Sequence, residues 1–192
     1  MIDCPIKVPG IKGDLDQTKS KMDLKGIISD GVPVTLADLI AKKSLKVKDG
    51  NALAEALCDL VDGYHSRGKT VGDLSPEFID VQEDGALSFR DSSLSFWAER
   101  RNPDPHYSAP EVRAGGTPDI RSDVFSLGVI LWELPGRRRD VVERCCETEP
   151  GKRYASAAEV KRALRRSALS GTLAGIAFIL LLIVFTILGL KG

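Results

Sequence analysis

This sequence has no surplus of either charge: lysine plus arginine and aspartate plus glutamate each number 27. Domains that grip a phosphate backbone are normally basic, so the even balance argues against a nucleic-acid partner. Cysteine is scarce. Cys4, Cys58, Cys145 and Cys146 are spaced for neither a zinc site nor a secreted disulfide framework. Cys58 falls in an apolar helical pattern and reads as core, and the adjacent pair Cys145-Cys146 reads as free thiols on a buried helix face. The N-terminus, Met1-Ile2-Asp3-Cys4-Pro5, lacks the basic and apolar regions of a signal peptide. There is no internal repeat, no low-complexity linker and no GxGxxG.

Charge is also absent from Ser167 to Leu190, and Leu173 to Leu190 is almost wholly aliphatic. A bilayer-spanning helix needs about 20 apolar residues, and this stretch supplies them. A core helix would keep a polar face and be shorter. Residues 167–190 are therefore expected to form one C-terminal transmembrane helix, with 191–192 as a short tail. Lys161, Arg162, Arg165 and Arg166 precede the stretch and only Lys191 follows it. That bias places the N-terminal part in the cytoplasm, as in a single-pass, tail-anchored protein; the style of the Gly72-Asp73-Leu74-Ser75-Pro76 stretch favours a bacterial inner membrane. The same four bases are candidates to face anionic lipid. Gly171 and Gly175 form a GxxxG pair, which permits close helix packing and a homo-oligomer.

With 192 residues and 43% apolar content, the rest fits one modest globular domain. Residues 1–23 are broken by Pro5, Pro9, Gly10 and Gly13 and read as irregular. Leu24–Ile28 reads as a short strand. Thr35 is a plausible N-cap for a helix over Leu36–Ala41, with Asp38 in its first turn. Lys42 to Lys48 is a basic connection. Asp49 or Asn51 is expected to cap a helix whose Leu53, Ala56, Leu57, Leu60, Val61 and Tyr64 recur at helical spacing, ending near Gly68. Phe78–Val81 and Ala86–Phe89 read as a hairpin turning at Glu83-Asp84-Gly85. Ser122 or Asp123 is expected to start a helix that is apolar nearly all round and stops at Pro135-Gly136. Val141–Cys146 reads as a short helix. Ser156 then caps a last helix, with Glu159 three residues on.

Four landmarks sit on this frame. Val71-Gly72-Asp73-Leu74-Ser75-Pro76-Glu77-Phe78 resembles a protein-kinase catalytic loop. Asp91 follows Asp73 by eighteen positions, Ser108-Ala109-Pro110-Glu111 resembles the end of an activation segment, and Asp123 to Leu134 resembles the central helix of the large lobe. Together they resemble the large, C-terminal lobe of the protein kinase-like superfamily over residues 24–166. The resemblance implies a mainly α, C-lobe-like helical domain with short β-hairpins. It also implies that Asp73 stands at the catalytic base and Asp91 at the aspartate that holds Mg²⁺.

Other positions depart from the family pattern. Ser75 replaces a lysine that contacts the transferred phosphate, and Phe78 replaces a metal-binding asparagine; a phenyl ring offers no hard oxygen. The segment before Leu24 is too short for the ATP-binding small lobe. By the same resemblance Glu111 pairs with Arg153, Asp123 accepts hydrogen bonds from the catalytic-loop backbone, and all three are structural. His65 reads as a satisfied core or surface histidine and not as a base. These departures lead to the expectation of a membrane-anchored pseudokinase that is not an enzyme, with Asp73 and Asp91 vestigial, no cofactor and no metal. Its role would be to scaffold or regulate a protein partner, such as a kinase or a membrane complex. The alternatives are a phosphotransferase completed by a small lobe supplied in trans, and an antagonist or docking subunit of a full-length kinase.

Overall fold

The computed structural model describes residues 34–43, 45–72, 74–90, 104–136 and 139–167. The irregular segment 1–23, the strand expected at Leu24–Ile28, Gly171, Gly175 and the apolar sequence from 168 onward lie outside them. Among the described residues no helix is long and apolar enough to cross a membrane.

The chain is mainly helical. Strand β1 (Val34–Thr35) leads straight into helix α1 (Leu36–Lys42). Thr35 caps α1: its hydroxyl accepts from Asp38 N at 3.0 Å, and Asp38 Oδ2 accepts from Thr35 N at 2.9 Å. That hydrogen bond from the Thr35 backbone holds the Asp38 carboxyl below its ordinary range. Helix α2 spans Val47–His65. It begins before the expected Asp49 or Asn51, because Lys46 takes the N-cap position with an extended backbone and no side-chain cap. Buried Gly50, Leu53, Ala54, Leu57, Cys58, Val61 and His65 recur at three and four residues, so α2 presents one stripe to the core. Burying each leucine fully stabilises the fold by about 1.5–3 kcal/mol.

A 3₁₀ turn at Pro76–Phe78 precedes β2 (Ile79–Val81) and β3 (Leu87–Phe89). Phe78 thus belongs to the turn and not to the strand. The three strands form one antiparallel sheet in the order β1-β2-β3, with Val34 opposite Val81 and Ile79 opposite Phe89. A single helical turn, α3 (Pro110–Arg113), comes next, and then the central helix α4 (Ile120–Glu133).

Helix α4 starts at Ile120, two residues before the expected Ser122 and three before Asp123. Asp119 is its cap, accepting from Ser122 N at 2.9 Å, while Ser122 Oγ accepts from Asp119 N at 3.2 Å. Val124, Leu127, Ile130 and Leu131 bury against α2 on one side and α5 (Arg139–Cys145) on another. Gly128 permits the α4–α5 approach, since a β-carbon there would collide with Cys145 Cβ. Ser156 caps helix α6 (157–167), accepting from Glu159 N at 3.4 Å. Ala157, Val160 and Leu164 of α6 complete the core.

Candidate active site

The site grows from the junction of α2 and β2. After α2 the chain turns at 66–68 and reaches Val71 and Gly72. Gly72 has φ +84, a left-handed conformation that glycine adopts without a Cβ penalty. Both backbone amides point at one carboxylate: Val71 N donates to Asp123 Oδ2 at 2.7 Å and Gly72 N to Asp123 Oδ1 at 2.8 Å. Asp123 lies in the first turn of α4 and is 1% exposed. A carboxylate so far from water requires donors on its oxygens, and two are the loop's own backbone.

The third contact comes from α2. His65 Nε2 is 3.0 Å from Asp123 Oδ2, and both side chains are buried. His65 Nδ1 has no hydrogen-bond partner among the described residues. Asp123 therefore ties the end of α2, the start of α4 and the backbone of residues 71–72 into one unit. Asp73, expected from the resemblance at the base position, follows immediately but lies outside the described residues. Beyond it Ser75 is buried, and its hydroxyl has no hydrogen-bond partner among the described residues.

The hairpin returns to the same place. Arg90 N donates to Phe78 O at 2.8 Å, and Phe78 N donates to Ser75 O at 3.2 Å. Arg90 also pairs with Asp80 at 2.9 Å. The chain entering Asp91 thus runs beside the chain leaving Asp73, although Asp91 also lies outside the described residues. Position 78 offers an aromatic ring where a magnesium site needs oxygen. Among the described residues no group of three His, Cys, Asp or Glu side chains could hold a metal ion.

A second network closes the lower side. Arg153 is fully buried and grips Glu111 with two bonds, Nη1 to Oε1 at 2.7 Å and Nη2 to Oε2 at 2.8 Å. Its remaining donors reach the carbonyls of Glu147 at 2.7 Å, Arg121 at 3.0 Å and Thr148 at 3.1 Å. Ser122 Oγ adds a bond to Glu111 Oε1 at 2.9 Å. Hydrogen bonding from Arg153 is the main reason the Glu111 carboxyl is pulled down to about 2. A buried guanidinium with all its bonds made is a geometric fix on α3, α4 and the 147–153 segment more than a net source of stability.

Two contacts were not legible as site features. Tyr107 OH donates to Glu133 at 3.1 Å, and His106 Nε2 sits 3.2 Å from the same carboxylate. Burial and the Glu133 charge push the Tyr107 hydroxyl above its ordinary value. The cysteine pair is buried or half-buried, and burial raises the Cys146 thiol to about 11, so little thiolate forms near neutral pH. Of the four bases before the apolar sequence, Lys161 and Arg165 bond to Asp59 and Glu55 of α2, while Arg162 and Arg166 make no ion pair among the described residues.

A loop held by a buried aspartate of the central helix, with a buried Arg153 paired to a half-buried Glu111, is the arrangement that the kinase resemblance implies. The same likeness holds against known proteins. The chain is 34% identical over 109 residues to CBL-interacting serine/threonine-protein kinase 20 of Arabidopsis thaliana, covering 52% of this chain and 25% of that protein. It is 31% identical over 140 residues to CBL-interacting serine/threonine-protein kinase 9 of the same plant, covering 67% of this chain and 31% of that protein. A probable serine/threonine-protein kinase, glkA of Dictyostelium discoideum, is 27% identical over 123 residues, covering 58% of this chain and 25% of that protein.

Among solved structures, the Mycobacterium tuberculosis PknI kinase domain superposes with a TM-score of 0.59 at 21% identity. It covers 70% of this chain and 62% of that one. No family model matches. The chain thus spans about a quarter to a third of the length of these curated relatives.

These likenesses overturn the expectation that the protein is not an enzyme. Similar proteins named as serine/threonine kinases, and a kinase domain as structural neighbour, point to a kinase enzyme. The expectation rested on the missing small lobe and on Ser75 and Phe78, which stand where the family has a lysine and a metal-binding asparagine.

Proposed function

We propose that this chain furnishes the catalytic-loop-bearing large lobe of a membrane-attached serine/threonine protein kinase. The carrying observation is the hold of Asp123 on the Val71 and Gly72 amides, at 2.7 and 2.8 Å, directly before Asp73. Rigid backbone on one side of a base is what positioned proton transfer requires. In this reading Asp73 orients the substrate hydroxyl and accepts its proton. The nucleotide and its phosphates are covered by a second lobe, in a longer chain or in trans, and Asp91 would hold the metal. That lobe is the proposed protein partner. The apolar sequence 167–190 holds the assembly at a membrane, with the kinase lobe on the cytoplasmic side.

The test is phosphoryl transfer from ATP to seryl and threonyl peptides by the chain combined with the small lobe of a related kinase. Transfer well above that of either part alone is expected. Absence of transfer with a folded, stably associated pair would overturn the proposal.

A further inference from the structure

Helix α6 lies antiparallel to α2. Lys161 Nζ is 2.5 Å from both carboxylate oxygens of Asp59, and one turn later Arg165 Nη2 is 2.7 Å from Glu55 Oε2. Four residues forward on α6 therefore match four residues back on α2. The C-terminal end of α6 points toward the N-terminal end of α2, from which the uncharged sequence continues to Leu190.

That end of the domain is basic and partly apolar. Lys43 closes α1, and Lys46, Val47 and Lys48 open α2; all four are exposed. Val47 is 56% exposed, against 45% for Trp132, the other large apolar side chain left open among the described residues. Val47 stands eight residues before Glu55, about 12 Å further along the helix axis. Lys43, Lys46 and Lys48 make no ion pair among the described residues. Bases at the positive end of α2 oppose its macrodipole, so they do not stabilise the helix they sit on. Lys161 and Arg165, by contrast, are already paired to α2.

We propose that Lys43, Lys46, Val47 and Lys48 form a docking surface for an anionic bilayer. The three ammonium groups meet headgroup phosphates, and Val47 enters the boundary with the acyl chains. The inference rests on the membrane attachment proposed above and adds which face of the lobe lies against the lipid. Of the α6 bases, Lys161 and Arg165 are held in ion pairs with α2, and Arg162 and Arg166 make no ion pair among the described residues.

The test is co-flotation of the detergent-purified full chain with vesicles of phosphatidylcholine, and of phosphatidylcholine with phosphatidylglycerol. The unmodified chain should prefer anionic vesicles, and raised salt should weaken the preference. Lys43→Gln/Lys46→Gln/Lys48→Gln should lose about fivefold of that preference per lysine, roughly a hundredfold in all, while neutral-vesicle binding stays unchanged. Asp59→Asn breaks the Lys161 pair and should lower the melting temperature without lowering the anionic preference. An anionic preference unaltered in the triple glutamine variant would overturn the docking surface. So would tighter binding of the unmodified chain to duplex DNA than to anionic vesicles. Failure of the unmodified chain to float with either vesicle would overturn membrane attachment itself.

Discussion

Replacing Asp123 with asparagine isolates the hold on the catalytic loop. The carboxylate accepts from Val71 N at 2.7 Å, from Gly72 N at 2.8 Å, and faces His65 Nε2 at 3.0 Å. An asparagine keeps one acceptor oxygen, so one backbone amide retains a partner. The amide NH₂ then points at the other backbone donor, where no bond forms. One hydrogen bond to a charged acceptor is lost, worth about 1.5–3 kcal/mol, and a buried donor is left unpaired at about 1–3 kcal/mol. The two descriptions overlap, so the net cost is about 3 kcal/mol, which lowers the melting temperature of a domain this size by about 10 °C. Thermal unfolding followed by circular dichroism measures the shift. Amide exchange at Val71 and Gly72 should quicken beyond what the global loss explains. A melting temperature within about 1 °C of the parent, with unchanged exchange at those amides, would refute the reasoning.

Glu111 supplies a pH prediction. Its carboxyl titrates near 2 in the folded protein against an ordinary 4.5. The stability it contributes is therefore complete above about 4.5 and is lost as pH falls toward 2. Glu111→Gln should be less stable than the parent at neutral pH, and denaturant melts should show the gap closing through that acid window. A gap that stays constant from pH 7 to pH 2 would contradict the pairing. Gly128→Ala inserts a methyl group where Cys145 Cβ already stands. It should cost about 2 kcal/mol in a chemical denaturation curve, and a neutral result would mean that α5 is free to shift.

How much of this could be read from residues depends on how local each cause is. Thr35 and Asp38 are three apart, and their reciprocal bonds are legible as a cap. The apolar spacing of α2 is legible for the same reason, but its start is not, because Lys46 offers no side-chain cap. The start of α4 is hidden too: Asp119 stands outside the apolar run, and only its exchange of bonds with Ser122 marks it.

The site is assembled by long-range contacts. His65 and Asp123 are 58 positions apart. His65 does fall on the buried stripe of α2, four residues after Val61, and a buried imidazole needs a polar partner; that was the available signal. Glu111, Arg153 and Asp123 entered the reading only through resemblance to a known family. The geometry adds their partners, including Ser122 and the carbonyls of Glu147 and Thr148. The four bases before the apolar sequence look equivalent in one dimension. Only the pairing of α6 with α2 separates Lys161 and Arg165 from Arg162 and Arg166.

The central claim is that the backbone held by Asp123 serves a working base at Asp73. The direct measurement is turnover of phosphoryl transfer by the chain joined to a kinase small lobe, comparing the parent with Asp73→Ala and verifying by thermal unfolding that both are folded. The account predicts that loss of the base lowers turnover by about 10²–10⁴-fold. Equal turnover in the two proteins would contradict it.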